Sequence, residues 1–233
     1  MTKWGEKNGI EFWTMPPERA EEATDVLRNG FFEDEAFCNY SGIPEDDEGQ
    51  RELSNLAVIC AEDGICTMAI EKQTGKIVGV SYNKIQVTPS PGQKGFFEEF
   101  RDSKCKSKTA RVLINEMIWF DHLVDLFEKY KTDSGAEIMF LGTHKDYRKR
   151  GIAVGLVEAT LAAVRALPPS KRPPIATAIF TSPYSIRVGR SLEFDEVITV
   201  AMKDKILNGK PFSEHPKIGQ DHPGAIVMVK RLN

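Results

Sequence analysis

Ile138-Met139-Phe140-Leu141-Gly142-Thr143-His144-Lys145-Asp146-Tyr147-Arg148-Lys149-Arg150-Gly151-Ile152-Ala153 reads as a buried strand, a tight basic turn and the start of a long helix. The first turn of a helix carries free backbone N–H groups and the positive end of the macrodipole. Such a terminus suits a phosphate or pyrophosphate. Gly151 lets the backbone come close to a ligand, small Ala153 keeps the next turn clear, and Arg148, Lys149 and Arg150 add positive charge. The stretch is neither a P-loop nor a dinucleotide fingerprint, because both glycine spacings are absent. On spacing alone it is equally a plain strand-to-helix turn with a solvated basic cluster.

Working outward, the strand runs from Ala136 to Gly142 and the helix from near Arg150 to Leu167, where Pro168-Pro169 ends it. An apolar strand at 175–181, a short helix at about 184–192, and strands at 195–202 and 225–231 follow. Upstream, 10–14 reads as a strand. A helix over 18–28 stops at Asn29-Gly30, 31–44 is acidic, aromatic and irregular, and 45–62 is a second helix. Strands at 65–71 and 76–87 flank a Thr74-Gly75 turn, and 88–108 reads as a loop. One long helix is expected from Thr109 to Tyr130, with Leu113, Met117, Phe120, Val124 and Phe127 at helical spacing. A hairpin followed by strand-helix-strand units predicts a mixed sheet with helices on both faces. No composition shift marks a boundary, so one domain is expected over 1–233.

The 233 residues, 41% apolar and 28% charged, can bury a core without staples. A net charge of −3 offers no general attraction to nucleic acid or to an anionic membrane. Cys38, Cys60, Cys66 and Cys105 include no C-x-x-C pair, so free thiols are expected rather than zinc or a disulfide framework. Met1-Thr2-Lys3-Trp4 lacks the apolar core of a signal peptide, and no apolar run reaches about 18 residues. A cytoplasmic protein is expected. His122, His144, His215 and His222 are too scattered for a metal site, although His144 falls in the turn that would meet a phosphate and His215 and His222 flank Asp221.

Arg148-Lys149-Arg150-Gly151-Ile152-Ala153 resembles the R/Q-x-x-G-x-G/A signature of the GNAT acetyltransferases, and it follows a core strand as that family requires. Phe31-Phe32-Glu33-Asp34-Glu35 is similar to the F-F-x-D-E segment of insect arylalkylamine N-acetyltransferases. The segments 125–130, 181–185 and 227–232 also match, so the resemblance spans nearly the whole chain. It implies an α/β fold: a central, mixed, mostly antiparallel twisted sheet of about seven strands with helices on both faces. It implies acetyl-CoA as co-substrate without a metal, a small-molecule amine as acceptor, and a monomer. Leu141, Gly142 and Thr143 would pair with the pantetheine arm, and Arg148 to Ala153 would hold the pyrophosphate.

Acetylating an amine requires removing a proton from an ammonium of pKa near 10 and stabilising an oxyanion. The resemblance implies direct attack in a ternary complex. Glu35 is its general base, acting through water, and the hydroxyls of Thr181, Ser182 and Ser185 assist proton handling near the sulfur. The hydroxyls serve equally as helix caps. Glu33 and Asp34 would attract a cationic amine, and the rings of Phe31, Phe32, Phe37 and Tyr40 would hold an aryl group. Aligning Leu192-Glu193-Phe194 with the usual L-G-F puts Gly189 where many GNAT enzymes carry a Tyr acid, and Glu193 replaces the usual Gly. A protein or polyamine acceptor, or a coenzyme A-binding module with little catalysis, are the alternatives.

Overall fold

Asn8-Gly9 turns the chain back on itself at its start. Both residues have positive φ, 51° and 75°, the geometry of a two-residue hairpin loop whose twist matches that of its strands. It joins β1 (Lys3–Lys7) to β2 (Ile10–Thr14). The computed structural model describes residues 1–203, 205–207, 210–214 and 224–232; His215, Asp221 and His222 lie outside them.

The chain continues through α1 (Pro17–Val26), α2 (Ala36–Ser41), α3 (Asp47–Cys60), β3 (Thr67–Glu71), β4 (Ile77–Val87), α4 (Phe96–Lys104), α5 (Lys108–Leu123) and α6 (Leu126–Tyr130). Then come β5 (Ser134–Thr143), α7 (Ile152–Ala166), β6 (Ile175–Phe180), α8 (Pro183–Ser191), β7 (Asp195–Val200), β8 (Ile206–Leu207), β9 (Lys210–Pro211) and β10 (Ala225–Arg231). Eight strands form one sheet in the order β1-β2-β3-β4-β5-β6-β10-β7, and β8-β9 is a separate ribbon. Every pair in the large sheet is antiparallel except β5-β6. No helix among the described residues is long and apolar enough to cross a membrane.

Side chains alternate across the sheet. Met68 and Ile70 of β3 enter a core shared with α1, α3 and α5, whereas Ala69 enters the core under α7. Gly155 brings α7 close to β2: a Cβ there would stand 2.3 Å from the Phe12 ring. Buried polar bonds pin the same helix, with Asn83 Nδ2 donating to Thr160 Oγ1 at 3.1 Å and Thr160 sharing a 3.0 Å bond with Thr67.

Four departures from the sequence reading have local causes. The strand β1 is polar and lies at a sheet edge, so periodicity hides it. The expected loop 88–108 holds α4, where Glu98 caps the Gly95 N–H at 2.9 Å and Phe97 and Phe100 are buried. The expected helix 109–130 breaks at Val124, whose φ of −150° and ψ of 124° are extended, and Asp125 caps a new helix by accepting from Glu128 N at 2.8 Å. Asn29-Gly30 does not stop the first helix; the chain widens into a π turn over Leu27–Phe31. Gly30 lies so close to β5 that a Cβ would stand 2.8 Å from the Thr143 carbonyl oxygen.

Asp46 sets the place of α5. It caps α3 by accepting from the N–H groups of Glu48 and Gly49, and it also accepts from Ser107 Oγ at 2.6 Å and Thr109 Oγ1 at 2.7 Å, at the start of α5. These bonds, those from Ser107 and Thr109 foremost, hold its pKa down to about 2. A depressed carboxylate stabilises the fold above its unfolded pKa and loses that stabilisation as pH falls through the folded value. Asp46→Ala is therefore expected to cost about 2 kcal/mol in urea denaturation at pH 7, from a lost cap and lost charge-assisted bonds. The difference from wild type should shrink between about pH 4 and pH 2.

Candidate active site

Strands β5 and β6 pair only briefly, from Ala136 with Ala176 to Ile138 with Ala178. Immediately afterwards β5 bulges: Tyr82 of β4 pairs with Phe140 and Asn83 with Ile138, leaving Met139 extra. A bulge bends its strand and ends pairing. From Met139 onward the two parallel strands diverge, and a cleft of about 600 Å³ occupies the wedge. Met139 to Thr143 form one wall; Ile179 and Phe180, with Thr181 and Ser182 beyond them, form the other. Ser185 and Val188 of α8 extend that second wall.

One mouth of the cleft meets the N-terminus of α7. Gly151 caps this helix with φ 76° and ψ 13°; no side chain caps it and no acid lies in its first turn. The N–H groups of that turn therefore have no side-chain acceptor, and Gly151, Ile152, Ala153 and Val154 all line the cleft. The three basic residues have different placements. Arg148 lines the cleft but is tied to Asp34 at 2.7 Å and to the Gly30 carbonyl at 3.0 Å. Lys149 lines the cleft, has φ 61°, and makes no ion pair among the described residues. Arg150 is not part of the wall; its guanidinium lies 4.9 Å from the Tyr147 ring centroid. His144 is also outside the wall, with Nδ1 capping Asp146 N at 3.3 Å and Nε2 3.3 Å from Lys76 Nζ.

At the other mouth, Glu35 joins the end of β6 to α2. Its Oε2 caps α2 by accepting from Cys38 N at 2.7 Å, and its Oε1 accepts from Thr181 Oγ1 at 2.6 Å. It is half-buried and lines the cleft. Ser182 and Ser185 form a reciprocal capping box at the start of α8, with their hydroxyls 3.0 Å apart. Thr181 thus pairs with Glu35, and Ser182 with Ser185; all four line the cleft.

The expected acceptor residues are divided. Asp34 lines the cleft. Glu33 is an exposed residue paired with Lys145, outside the wall. Phe32 and Tyr40 are 0% and 1% exposed and belong to the core, because the π turn aims Phe32 inward and Tyr40 packs on Phe212. Neither is available to hold an aryl group. Phe31 and Phe37 do line the cleft. Gly189 does not vacate a position in the cleft: a Cβ there would lie 2.4 Å from Phe180 and 2.6 Å from the Met228 sulfur. Tyr184, on the preceding turn, is 72% exposed and lines the cleft. Glu193 takes the left-handed conformation at φ 57°, which preserves the turn that a glycine would make.

The α5 wall went unrecognised in the sequence. Leu113, Met117 and Phe120, marked in the sequence only by their helical spacing, line the cleft with Glu116. Glu116 is paired with Lys205. All four cysteines are buried and free. Burial raises the thiols of Cys38 and Cys60 well above their usual value, that of Cys66 to about 12 and that of Cys105 to about 11. None offers a thiolate near neutral pH. Among the described residues, no group of three or more His, Cys, Asp or Glu is placed to hold a metal ion.

No family model and no curated protein matches the chain. Solved structures do. Arylalkylamine N-acetyltransferase 2 from Aedes aegypti superposes with a TM-score of 0.79 at 22% identity, covering 97% of this chain and 100% of that one. A mosquito arylalkylamine N-acetyltransferase like 5b gives 0.74 at 14% identity, over 95% and 99% of the two chains. A Drosophila melanogaster polyamine N-acetyltransferase gives 0.71 at 16% identity, over 95% and 99%. With its mixed eight-stranded sheet, its parallel pair splayed at a bulge and helices on both faces, the chain has the GNAT fold in the form seen in insect arylalkylamine N-acetyltransferases.

Proposed function

We propose that this protein is an acetyl-CoA-dependent N-acetyltransferase that acts on the primary amine of a small arylalkylamine by direct attack in a ternary complex. One observation carries the reading: a single wedge joins the side-chain-free N-terminus of α7 to the Glu35–Thr181 pair. Acetyl-CoA would supply the acetyl group as an activated thioester. The residues present fit it. The uncapped α7 terminus, with Lys149 beside it, suits a pyrophosphate. The diverging strand Met139–Thr143 offers alternate backbone groups toward the wedge, suited to an extended amide-bearing arm and to a developing oxyanion.

Glu35 is the group that would accept the amine proton, through water. Two of its lone-pair sites are used, by Cys38 N–H and Thr181 O–H, and a carboxylate has about four. The Thr181 bond fixes the carboxylate at the end of β6, where the wedge opens. Ser182 and Ser185 are hydrogen-bonded through their hydroxyls on the same wall as Thr181 and are placed to pass a proton toward the leaving thiolate. The high thiol pKa values favour direct transfer over an acetyl-cysteine. Phe31, Phe37 and Phe120 give the cleft apolar faces.

Acetyl-CoA should raise the melting temperature by ligand linkage. A panel of arylalkylamines, linear polyamines and peptide amines, with free-thiol detection, tests the transfer. At least one arylalkylamine should drive thiol release with a Michaelis constant in the micromolar to millimolar range. Release driven only by polyamines or peptides would reject the arylalkyl acceptor. Release with no amine in the panel would reject the transferase.

A further inference from the structure

Glu33, Asp34 and Glu35 are consecutive acids with divided partners. Glu35 meets Thr181 at the end of β6. The other two reach the turn between β5 and α7. Glu33 pairs with Lys145, and Asp34 Oδ2 accepts from Arg148 Nη2 at 2.7 Å. The same Nη2 donates to the Gly30 carbonyl at 3.0 Å. The segment 30–35 is therefore strung between the two splayed strands. Arg148 and Lys145 tie it to the turn after β5, and Thr181 ties it to the end of β6.

Local chemistry explains the grip of Arg148. Gly30 lies in the π turn over Leu27–Phe31, and the last carbonyls of a helix lack partners within it. A guanidinium suits such an end, because its N–H groups meet a carbonyl and its charge meets the negative end of the dipole. One guanidinium nitrogen carries two hydrogens, so Nη2 serves the carbonyl and the carboxylate together. Asn39 holds the segment from inside: it is 6% exposed, and its Nδ2 donates to the carbonyls of Glu33 at 2.8 Å and Glu35 at 3.0 Å. Arg148 holds it from outside, at Gly30 and one residue before Glu35. The side chains of Arg148 and Asp34 are 42% and 48% exposed, so the pair adds little to stability. Placement is another matter, since a shift of about 1 Å in a catalytic group can cost on the order of 10²-fold in rate. The charge of Arg148 is matched by Asp34, whereas Lys149, beside the α7 terminus, makes no ion pair among the described residues.

We infer that Arg148 is a positioning residue for Glu35, acting through Asp34 and the Gly30 carbonyl, and not a holder of the coenzyme pyrophosphate. The inference rests on the proposed transferase reading and deepens it. It departs from the role that the family resemblance implies for Arg148. Lys149 and the N–H groups of the first α7 turn remain the phosphate-binding groups.

Arg148→Gln and Asp34→Asn, each made in the full wild-type chain and in Glu35→Gln, test the inference. Rates are measured at saturating acetyl-CoA and the best amine of the panel, and acetyl-CoA affinity is measured by calorimetry. In the wild-type background each variant should lower the maximal rate about tenfold. Acetyl-CoA affinity and melting temperature should stay near wild type. In the Glu35→Gln background neither variant should cost anything further, because a residue that acts through Glu35 has nothing left to position. A loss of about tenfold or more in acetyl-CoA affinity in Arg148→Gln, the usual effect of removing a hydrogen bond to a charged group, would overturn the inference. So would the wild-type rate in Arg148→Gln, or the same fold-loss in both backgrounds. Each of these results leaves the transferase reading standing. A wild-type chain that releases no thiol with any amine of the panel would overturn that reading, and this inference with it.

Discussion

Glu35→Gln is expected to lower the maximal rate of amine acetylation by about 10²- to 10⁴-fold, the usual contribution of a general base. The glutamine keeps the shape and one acceptor oxygen. Its Oε1 can still cap Cys38 N, and its Nε2 can donate to the Thr181 hydroxyl, which rotates to accept. The α2 cap therefore survives, and acetyl-CoA affinity should not change measurably. Glu35→Ala loses the cap as well and should cost about 1 kcal/mol of stability in addition. The rate defect of Glu35→Gln should shrink as pH rises toward the amine pKa of about 10, because more free amine is already present. A glutamate that only caps α2 would give the reverse pattern: the alanine variant would be unstable, while the glutamine variant would keep the wild-type rate at every pH. The pH–rate profiles of the two variants decide between these outcomes.

Ala153→Asp is expected to move stability and coenzyme binding in opposite directions. The residue lies in the first turn of α7, half-buried at the cleft, in a turn that holds no acid. A carboxylate there complements the helix dipole and should stabilise the free protein by about 0.3–1 kcal/mol. The same carboxylate would stand a few ångströms from the proposed pyrophosphate, where like charges at a protein surface weaken binding on the order of 10- to 100-fold. Ala153→Asn adds the bulk without the charge and should bind acetyl-CoA nearly as wild type does. The defect of the aspartate should narrow as salt rises toward 1 M, where the Debye length is about 3 Å. Unchanged acetyl-CoA affinity in Ala153→Asp would remove the pyrophosphate from the α7 terminus.

The strand-turn-helix at 138–153 was readable because its signals are local: an apolar run, a basic turn, a glycine in the left-handed region and a helical period behind it. The wedge was not, because it depends on a bulge at Met139 that exists only relative to the register of β4. Asn8-Gly9 is a strong hairpin signal, yet polar β1 beside it has no alternation to mark it as a strand. Phe31 and Phe32 are adjacent and chemically identical in sequence. Only the π turn decides that the first faces the cleft and the second the core. The stripe Leu113-Met117-Phe120 has the same period whether it packs on a core or walls a cleft, so helical spacing cannot tell the two apart. Glu137 sits inside a run that reads as almost wholly apolar, and its burial at 5% exposure has no local sequence signal. The pairing of Glu35 with Thr181 spans 146 positions and lies beyond any local pattern.

The most direct test of the transfer reading follows both products of one reaction. The protein is mixed with acetyl-CoA and the best amine of the panel, and free thiol, N-acetylamine and protein mass are measured over a single turnover. The account predicts one thiol released per N-acetylamine formed, no gain of an acetyl mass on the protein, and no thiol release when the amine is omitted. An acetylated protein that forms before the amine product, or thiol release that does not depend on the amine, would contradict it.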